Sequence, residues 1–293
     1  MEFTTSLSNR FARLGASLAI CLLVTVTTVA FAPVGEAGAS TQSATMDGVT
    51  ATFTYSGTYP ESSNPHLTIT REGTLLYSGL VKSVWCGDVC WPNTISSRVS
   101  VVHVVRFQSG GPFDVVLDLY SGGAHCCSIE QVYSLGATST KVVKTERNFG
   151  DPGVRLEEIG PGGVTYFVSA DDHFAYAFTD FAASGLPIQI LSFADGTFTN
   201  VTRRFPALIK ADATGWLQAY HAQASTHYQD SVGVIAAWVA DEYMLGESGV
   251  ANNFLAAQLK AGHLHSALSP IDPSGAGFVT ALQHFLVKHG YVK

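Results

Sequence analysis

The hydrophobic period of this chain changes once, near Pro206, and that change limits the architectures open to it. From Ser40 to about Thr202 apolar and polar residues alternate and β-branched types abound, the pattern of half-buried strands. Val49-Thr-Ala-Thr-Phe-Thr-Tyr55 is one such run. His66–Thr70 and Thr74–Tyr77 flank Arg71-Glu72-Gly73, a hairpin signature, and Ile188–Phe193 and Phe198–Thr202 flank the turn pair Asp195-Gly196. Ser100–Phe107, Val164–Ala170 and Ala175–Phe178 read as further strands. Beyond Pro206 the spacing is helical. Ile209, Ala213, Trp216, Leu217 and Tyr220 share a face. Asp230 is placed to cap a helix ending at Gly246; Val250, Phe254, Leu255 and Leu259 form a stripe closed by Gly262; Phe278, Ala281, Leu282, Phe285 and Leu286 run toward Gly290. Strands first and helices after predict an α+β fold: an antiparallel all-β region over 40–204, then about four helices over 205–293.

Residues 1–39 have the three parts of a secretory signal: Arg10 and Arg13, an apolar stretch from Leu18 to Val34, and Ala37-Gly38-Ala39 before Ser40. The apolar core is short and carries Thr25, Thr27 and Thr28, which favours cleavage over a membrane anchor. The expected product is an extracellular chain, with no membrane association after cleavage. Its formal charge of −7 gives no basic footprint for nucleic acid or anionic lipid. Charged residues make up only 13% of the chain, so the surface must be largely Ser, Thr, Gly and Asn, as suits an exported β protein.

Phe113 to Ser128 is an apolar run interrupted by Asp118, stopped by Gly122-Gly123 and followed by His125, Cys126 and Cys127. It reads as a strand ending in a tight turn, with Asp118 on the exposed side of the pleat. With Cys86 and Cys90, the two cysteines predict two disulfides in an oxidising compartment. Three connectivities are open. A bridge between neighbours would strain the intervening peptide, and pairing across would restrict the unfolded chain more. Cross-pairing is therefore preferred to two local bridges. A four-sulfur or His/Cys metal site is the third reading, although C-x3-C with adjacent cysteines is not a zinc-ribbon spacing.

Phe107–Val116 lies on Ile159–Val168 when the β half is compared with itself, which superposes Gly110-Gly111 on Gly162-Gly163. The spacing of about 50 residues is in the range of propeller blades. Both segments resemble degenerate FG-GAP/VCBS loops of integrin-type β-propellers. Val115–Cys127 and Phe174–Asp180 resemble uncharacterised secreted actinobacterial proteins that carry such loops. The resemblance implies a propeller-like or partial propeller region over about residues 50–220 and implies no activity. Family loops hold Ca²⁺ through carboxylates, whereas here the metal-facing positions are Gln108 and Gly110, and Gly160 and Gly162. The expectation is a turn kept for its shape, with no metal and no cofactor.

The candidates for chemistry are few. Asp171-Asp172-His173, following a strand, can supply an acid/base pair or accept backbone hydrogen bonds in a solvated loop. His125 with Cys127 can form a nucleophilic dyad only if the thiol stays reduced. The C-terminal histidines, His221, His227, His263, His265, His284 and His289, are scattered and read as surface residues. Gly233 and Gly277 are expected to allow close helix packing. The reading is a non-enzymatic secreted module binding an extracellular ligand or protein, stabilised by disulfides. The alternative is a secreted hydrolase built on either candidate pair, and convergence of the two loops on one concave pocket is the geometric discriminator. A third role, docking of a partner on the helical tail, requires Phe278, Leu282 and Phe285 to be exposed.

Overall fold

The computed structural model describes residues 39–57, 62–87, 90–93, 100–123, 126–268 and 272–292. The predicted leader lies outside them except for Ala39, and His125 lies outside them too. Among the described residues the chain forms thirteen strands in three antiparallel sheets, then four helices, the α+β order expected. No helix among them is long and apolar enough to cross a membrane.

The first sheet is a meander of β1 (Ala39–Met46), β2 (Val49–Ser56), β3 (Ser63–Arg71) and β4 (Thr74–Leu80). Asp47-Gly48 and Glu72-Gly73 turn its hairpins with both residues at positive φ, which matches the twist of the flanking strands. The middle sheet holds β5 (Trp91–Pro92), β6 (Val102–Val105), β7 (Asp114–Gly123), β8 (Cys126–Leu135) and β9 (Val142–Gly150); β5 and β6 both pair with β7. The third is β10 (Arg155–Glu157), β11 (Tyr166–Ala170), β12 (Ile188–Ala194) and β13 (Thr197–Asn200), its last hairpin turned by Asp195-Gly196.

Successive side chains of a strand point to opposite faces, so the middle sheet can feed two cores. Val115, Leu117 and Leu119 of β7 and Ile129, Tyr133 and Leu135 of β8 pack with Phe53, Leu67 and Ile69 of the first sheet. Val116, Val132 and Phe149 face the other way, onto Phe107, Phe167, Leu191 and Phe193. The sheets thus form an open stack with the longest strands in its centre. Both glycine-rich turns lead into the second strand of a sheet, β7 or β11, and the matched Gly110 and Gly162 are both left-handed, at φ 69° and 79°. Beside them the Thr165 amide donates to the Arg106 carbonyl at 2.7 Å.

The helices are α1 (Pro206–Ala222), α2 (Val232–Leu245), α3 (Ser248–Ala261) and α4 (Gly275–Lys288). Pro206 occupies the first turn of α1, where its missing N–H costs nothing. Every residue of α2 from Val232 to Glu242 is buried, as befits a central helix apolar on all sides. Asp230 does not cap it; that carboxylate accepts from Thr179 Oγ1 and the Ala267 amide. In α3 the core stripe is Ala251 and Leu255, while Val250 and Leu259 face solvent. Phe278 and Leu282 of α4 are buried and Phe285 packs on the same core, which removes the tail as an apolar docking face.

The sheets and helices form one compact unit. The join is the segment between β11 and β12, part of which the period suggested was a strand. It is instead a 3-10 turn at Asp172–Phe174 followed by irregular chain that inserts Phe174 and Phe178 into the helical core. Gly233 of α2 permits this, because a Cβ there would stand 2.1 Å from the Ala183 carbonyl oxygen. The close approach is thus to this segment rather than to another helix. Gly277 has open space around it and serves no such contact.

Candidate functional site

Asp171 directly follows β11 and, of Asp171, Asp172 and His173, is the one drawn fully inside, at 5% exposure. Oδ1 accepts from the His173 amide at 3.1 Å and lies 2.6 Å from His173 Nδ1; Oδ2 accepts from the Tyr291 hydroxyl at 2.7 Å. One carboxylate thereby fixes the loop that follows β11 and ties it to the chain beyond α4. Tyr291 is held a second time, through its carbonyl, which accepts from Arg203 Nη2 at 2.7 Å. Arg203 also donates to the Tyr243 and Met244 carbonyls at the end of α2. Burial, and then Asp171, raise the Tyr291 phenol well above its ordinary pKa, so it remains a donor.

His289 is not a free surface residue: it is half-buried, its ring 4.5 Å from that of His173 and 4.3 Å from that of Phe285. Its pKa is lowered, first by burial and then by His173.

Two cavities meet at Asp171. The smaller, of about 420 Å³, lies beside Arg203, Arg204, His289 and Tyr291. The larger, of about 540 Å³, is lined by Asp171, Asp172 and His173 together with Cys126, Arg147, Gln189 and Trp85. Cys126 thus reaches the same concavity as Asp171, Asp172 and His173, whereas Cys127 does not line it and His125 lies outside the described residues. Gly150, at the end of β9, is required there: it holds φ 76°, and a Cβ would stand 2.0 Å from the Asp172 carboxyl. Asp172 accepts from the Asp151 amide, and burial raises its pKa.

The disulfides are not cross-paired. Cys86 bonds Cys90, with Cα atoms 5.1 Å apart, inside the ordinary span for a bridge; Cys126 bonds Cys127 through a cis peptide. All four cysteines pack in the core shared by the first two sheets, and each bonds the one nearest along the chain, where the loop to be closed is shortest. Cys127 is 6% exposed and bonded, and offers no thiolate in this state. Trp85, directly before Cys86, stands 53% exposed at the cavity wall, and the neighbouring Val84 amide donates to Glu146. Among the described residues no three His, Cys, Asp or Glu side chains converge as a metal-binding set.

Comparison with known proteins is sparse. The chain is similar to a probable thylakoid lumen protein of Synechocystis. The two are 24% identical over 153 residues, 51% of this chain and 45% of that protein. The chain therefore spans about half the length of the curated relative it matches. No family model matches it, and neither does any solved structure.

Asp118 is not on a solvated face. It stands opposite Glu130 across β7 and β8, and the two carboxyls hydrogen-bond to each other. Asn93 Nδ2 donates to Asp118 at 2.8 Å. Burial is the main cause that pushes the Asp118 pKa up to about 7, and burial followed by Asp118 raises that of Glu130 well above its ordinary value. This pair lies in the interior of the sheet stack and lines neither cavity.

Trp85, Arg147, Gln189, His289 and Tyr291 were missed as site residues. Trp85 had a signal, an apolar residue placed beside a cysteine loop. The others had none, because strand register and the return of the chain terminus bring them in.

Proposed function

We propose that the protein is an exported binding module whose ligand occupies the larger cavity. The observation that carries this reading is the convergence of three loops, ending at Cys86, starting at Cys126 and running through Asp171–His173, on one concave space with an exposed indole at its wall. Cavities of several hundred Å³ with a few convergent polar groups are the ordinary form of small-ligand sites. Two local bridges support the site rather than perform chemistry, since bonded cysteines supply no nucleophile. Export is supported by the leader-like first 39 residues and by a relative named for the thylakoid lumen, a compartment reached by translocation. The resemblance to degenerate propeller loops belongs to the same reading: successive sheets serve as blades that present loops at one edge. Thermal-shift and calorimetric titration with a panel of saccharides, amino acids and organic acids tests it. A ligand that raises the melting temperature of the native chain and not of Trp85→Ala is expected. Silence across the panel would remove the reading.

A second reading rests on the 2.6 Å contact between Asp171 Oδ1 and His173 Nδ1. A carboxylate that orients an exposed imidazole in this way is half of a general-base arrangement, and water is the nucleophile it would activate. Hydrolysis that survives His173→Ala and Asp172→Asn unchanged would exclude it.

A further inference from the structure

The carboxylates around the larger cavity are occupied from within the protein. Glu146 accepts from the Val84 amide, from Gln131 Nε2 at 2.9 Å and from Lys144 Nζ at 3.4 Å. Asp172 accepts from Asp151, and Asp171 has His173 and Tyr291. Arg147 is not occupied in this way. Its Nε is buried and has no hydrogen-bond partner among the described residues, and its guanidinium makes no direct ion pair there, although the charge of Asp171 across the cavity acts on it.

The strand register adds a second observation. Arg147 of β9 stands opposite Glu130 of β8, the position from which an ion pair would be expected. Glu130 turns instead to Asp118, with which it shares a hydrogen bond. The guanidinium lies over Phe149 and Phe198, 5.3 and 5.8 Å from their ring centroids. Stacking of that kind leaves the donors at the edge of the plane, the geometry that grips a planar oxyanion in two-point fashion. A buried donor without a partner costs about 1–3 kcal/mol, and since the Nε of Arg147 is itself sealed, the terminal nitrogens are the part of this cavity-lining side chain that can meet a ligand. At the same cavity Trp85 offers an apolar ring face, and Asn148, Gln189 and His173 offer hydrogen-bonding groups around it. An indole face beside amides is what the C–H face and hydroxyls of a sugar ring require.

We propose that Arg147 anchors the carboxylate of a sugar acid in this cavity, with the sugar ring against Trp85. The inference rests on the binding reading above and narrows it to one ligand class. It also gives the structure a reason to keep Glu130 and Asp118 paired, since a Glu130–Arg147 bridge would occupy the anchor.

The test is calorimetric titration of the full chain with D-galacturonate and a short oligogalacturonate, set against D-galactose and acetate. The uronates should bind at least about tenfold more tightly than galactose, the factor expected for one charge-assisted contact, and their affinity should fall with added salt. Acetate, which carries the charge without the ring, should bind more weakly than either uronate. Arg147→Gln should erase the preference of uronate over galactose, Arg147→Lys should retain part of it, and Trp85→Ala should weaken both sugars alike. If Arg147→Gln does not fold, the comparison of uronate with galactose on the native chain decides the matter by itself. Equal binding of galactose and galacturonate would overturn the anchor and leave the cavity a binding site for neutral ligands. Binding of amino acids or other acids without uronates would overturn the sugar class. No binding by any of these probes would overturn the anchor, and the binding reading beneath it falls only if the wider panel of saccharides, amino acids and organic acids is silent as well.

Discussion

Asp118 and Asp171 are both acids drawn into the protein from the end or middle of an apolar strand, and they are handled in opposite ways. Asp118 meets another acid, Glu130, with one amide donor from Asn93. Two carboxyls that close in an interior cannot both ionise, so the pair holds a proton between them. Asp171 meets donors instead: the His173 ring and amide on one oxygen, the Tyr291 hydroxyl on the other. That acid joins the last sheet to the end of the helical region and has a cavity on each side. Burial of a carboxyl is thus no mark of a site by itself; the chemistry of its partners decides whether it closes space or organises it. A third acid, Asp241 in α2, follows the first pattern. Burial and then Asp212 push its pKa up to about 10.

The comparison breaks most readily at Asp171. Asp171→Ala leaves the Tyr291 hydroxyl and the His173 amide without their acceptor, at about 2 kcal/mol each, for a loss of roughly 4 kcal/mol in urea unfolding. Hydrogen exchange should rise first beyond α4, where Tyr291 is tethered. A loss no larger than that of Asp118→Asn would show that the two acids are not different in kind.

The next largest effect is on pH dependence, where the sign distinguishes them. Asp118 has a folded pKa of about 7 against an ordinary 3.8, so the folded chain holds a proton that the unfolded chain releases between those values. Its stabilising contribution is full below pH 3.8 and is lost as pH rises toward 7, at up to about 1.4 kcal/mol per pH unit. Asp118→Asn should flatten that slope, measured as urea midpoints from pH 4 to 7. A slope unchanged by the substitution would mean the acid pair is open to water.

Much of this organisation is legible in the sequence, and the failures have physical causes. The change of period at Pro206, the two-residue turns at Glu72-Gly73 and Asp195-Gly196 and the helix stops at Gly246, Gly262 and Gly290 are local signals, and local chemistry suffices to read them. β8 and β9 did not announce themselves, because Glu130 and Gln131 interrupt the apolar pattern of a central strand. Their cost is met largely by partners on other segments: Asp118 for the first, and Lys82 and Glu146 for the second, which Tyr133, two residues along the same strand, also holds. Asp171-Asp172-His173 could be picked out as a cluster, yet nothing in its neighbourhood says that Tyr291, 120 residues later, completes it. The preference for crossed disulfides failed for a related reason. It weighed the entropy of the unfolded chain and had no information on which sulfurs the strands bring together.

Tyr291→Phe is a smaller perturbation of the same junction. It removes one buried hydrogen bond and leaves Asp171 Oδ2 without its donor, for about 1–2 kcal/mol. The phenyl ring keeps its edge contact with Phe174, so the helical core should be unaffected. A melting temperature equal to the native one would mean that water replaces the hydroxyl and that the junction is looser than the 2.7 Å contact implies.

The smallest effect on stability is expected at His173, and it separates the two uses of Asp171. The imidazole is 62% exposed, and a contact from so open a side chain contributes under about 1 kcal/mol, so His173→Ala should fold almost as well as the native chain. Its neighbour should report the change instead. His289 is held below its ordinary pKa by burial first and by His173 second, so removing His173 should raise the His289 pKa without restoring it fully. NMR titration of the His289 ring protons in the two chains reads this directly. If the titration does not move, the two rings are not neighbours in solution, and Asp171 organises one side of the junction only. If it rises while unfolding is unchanged, the Asp171 carboxylate carries the architecture and His173 is free to face whatever enters the cavity.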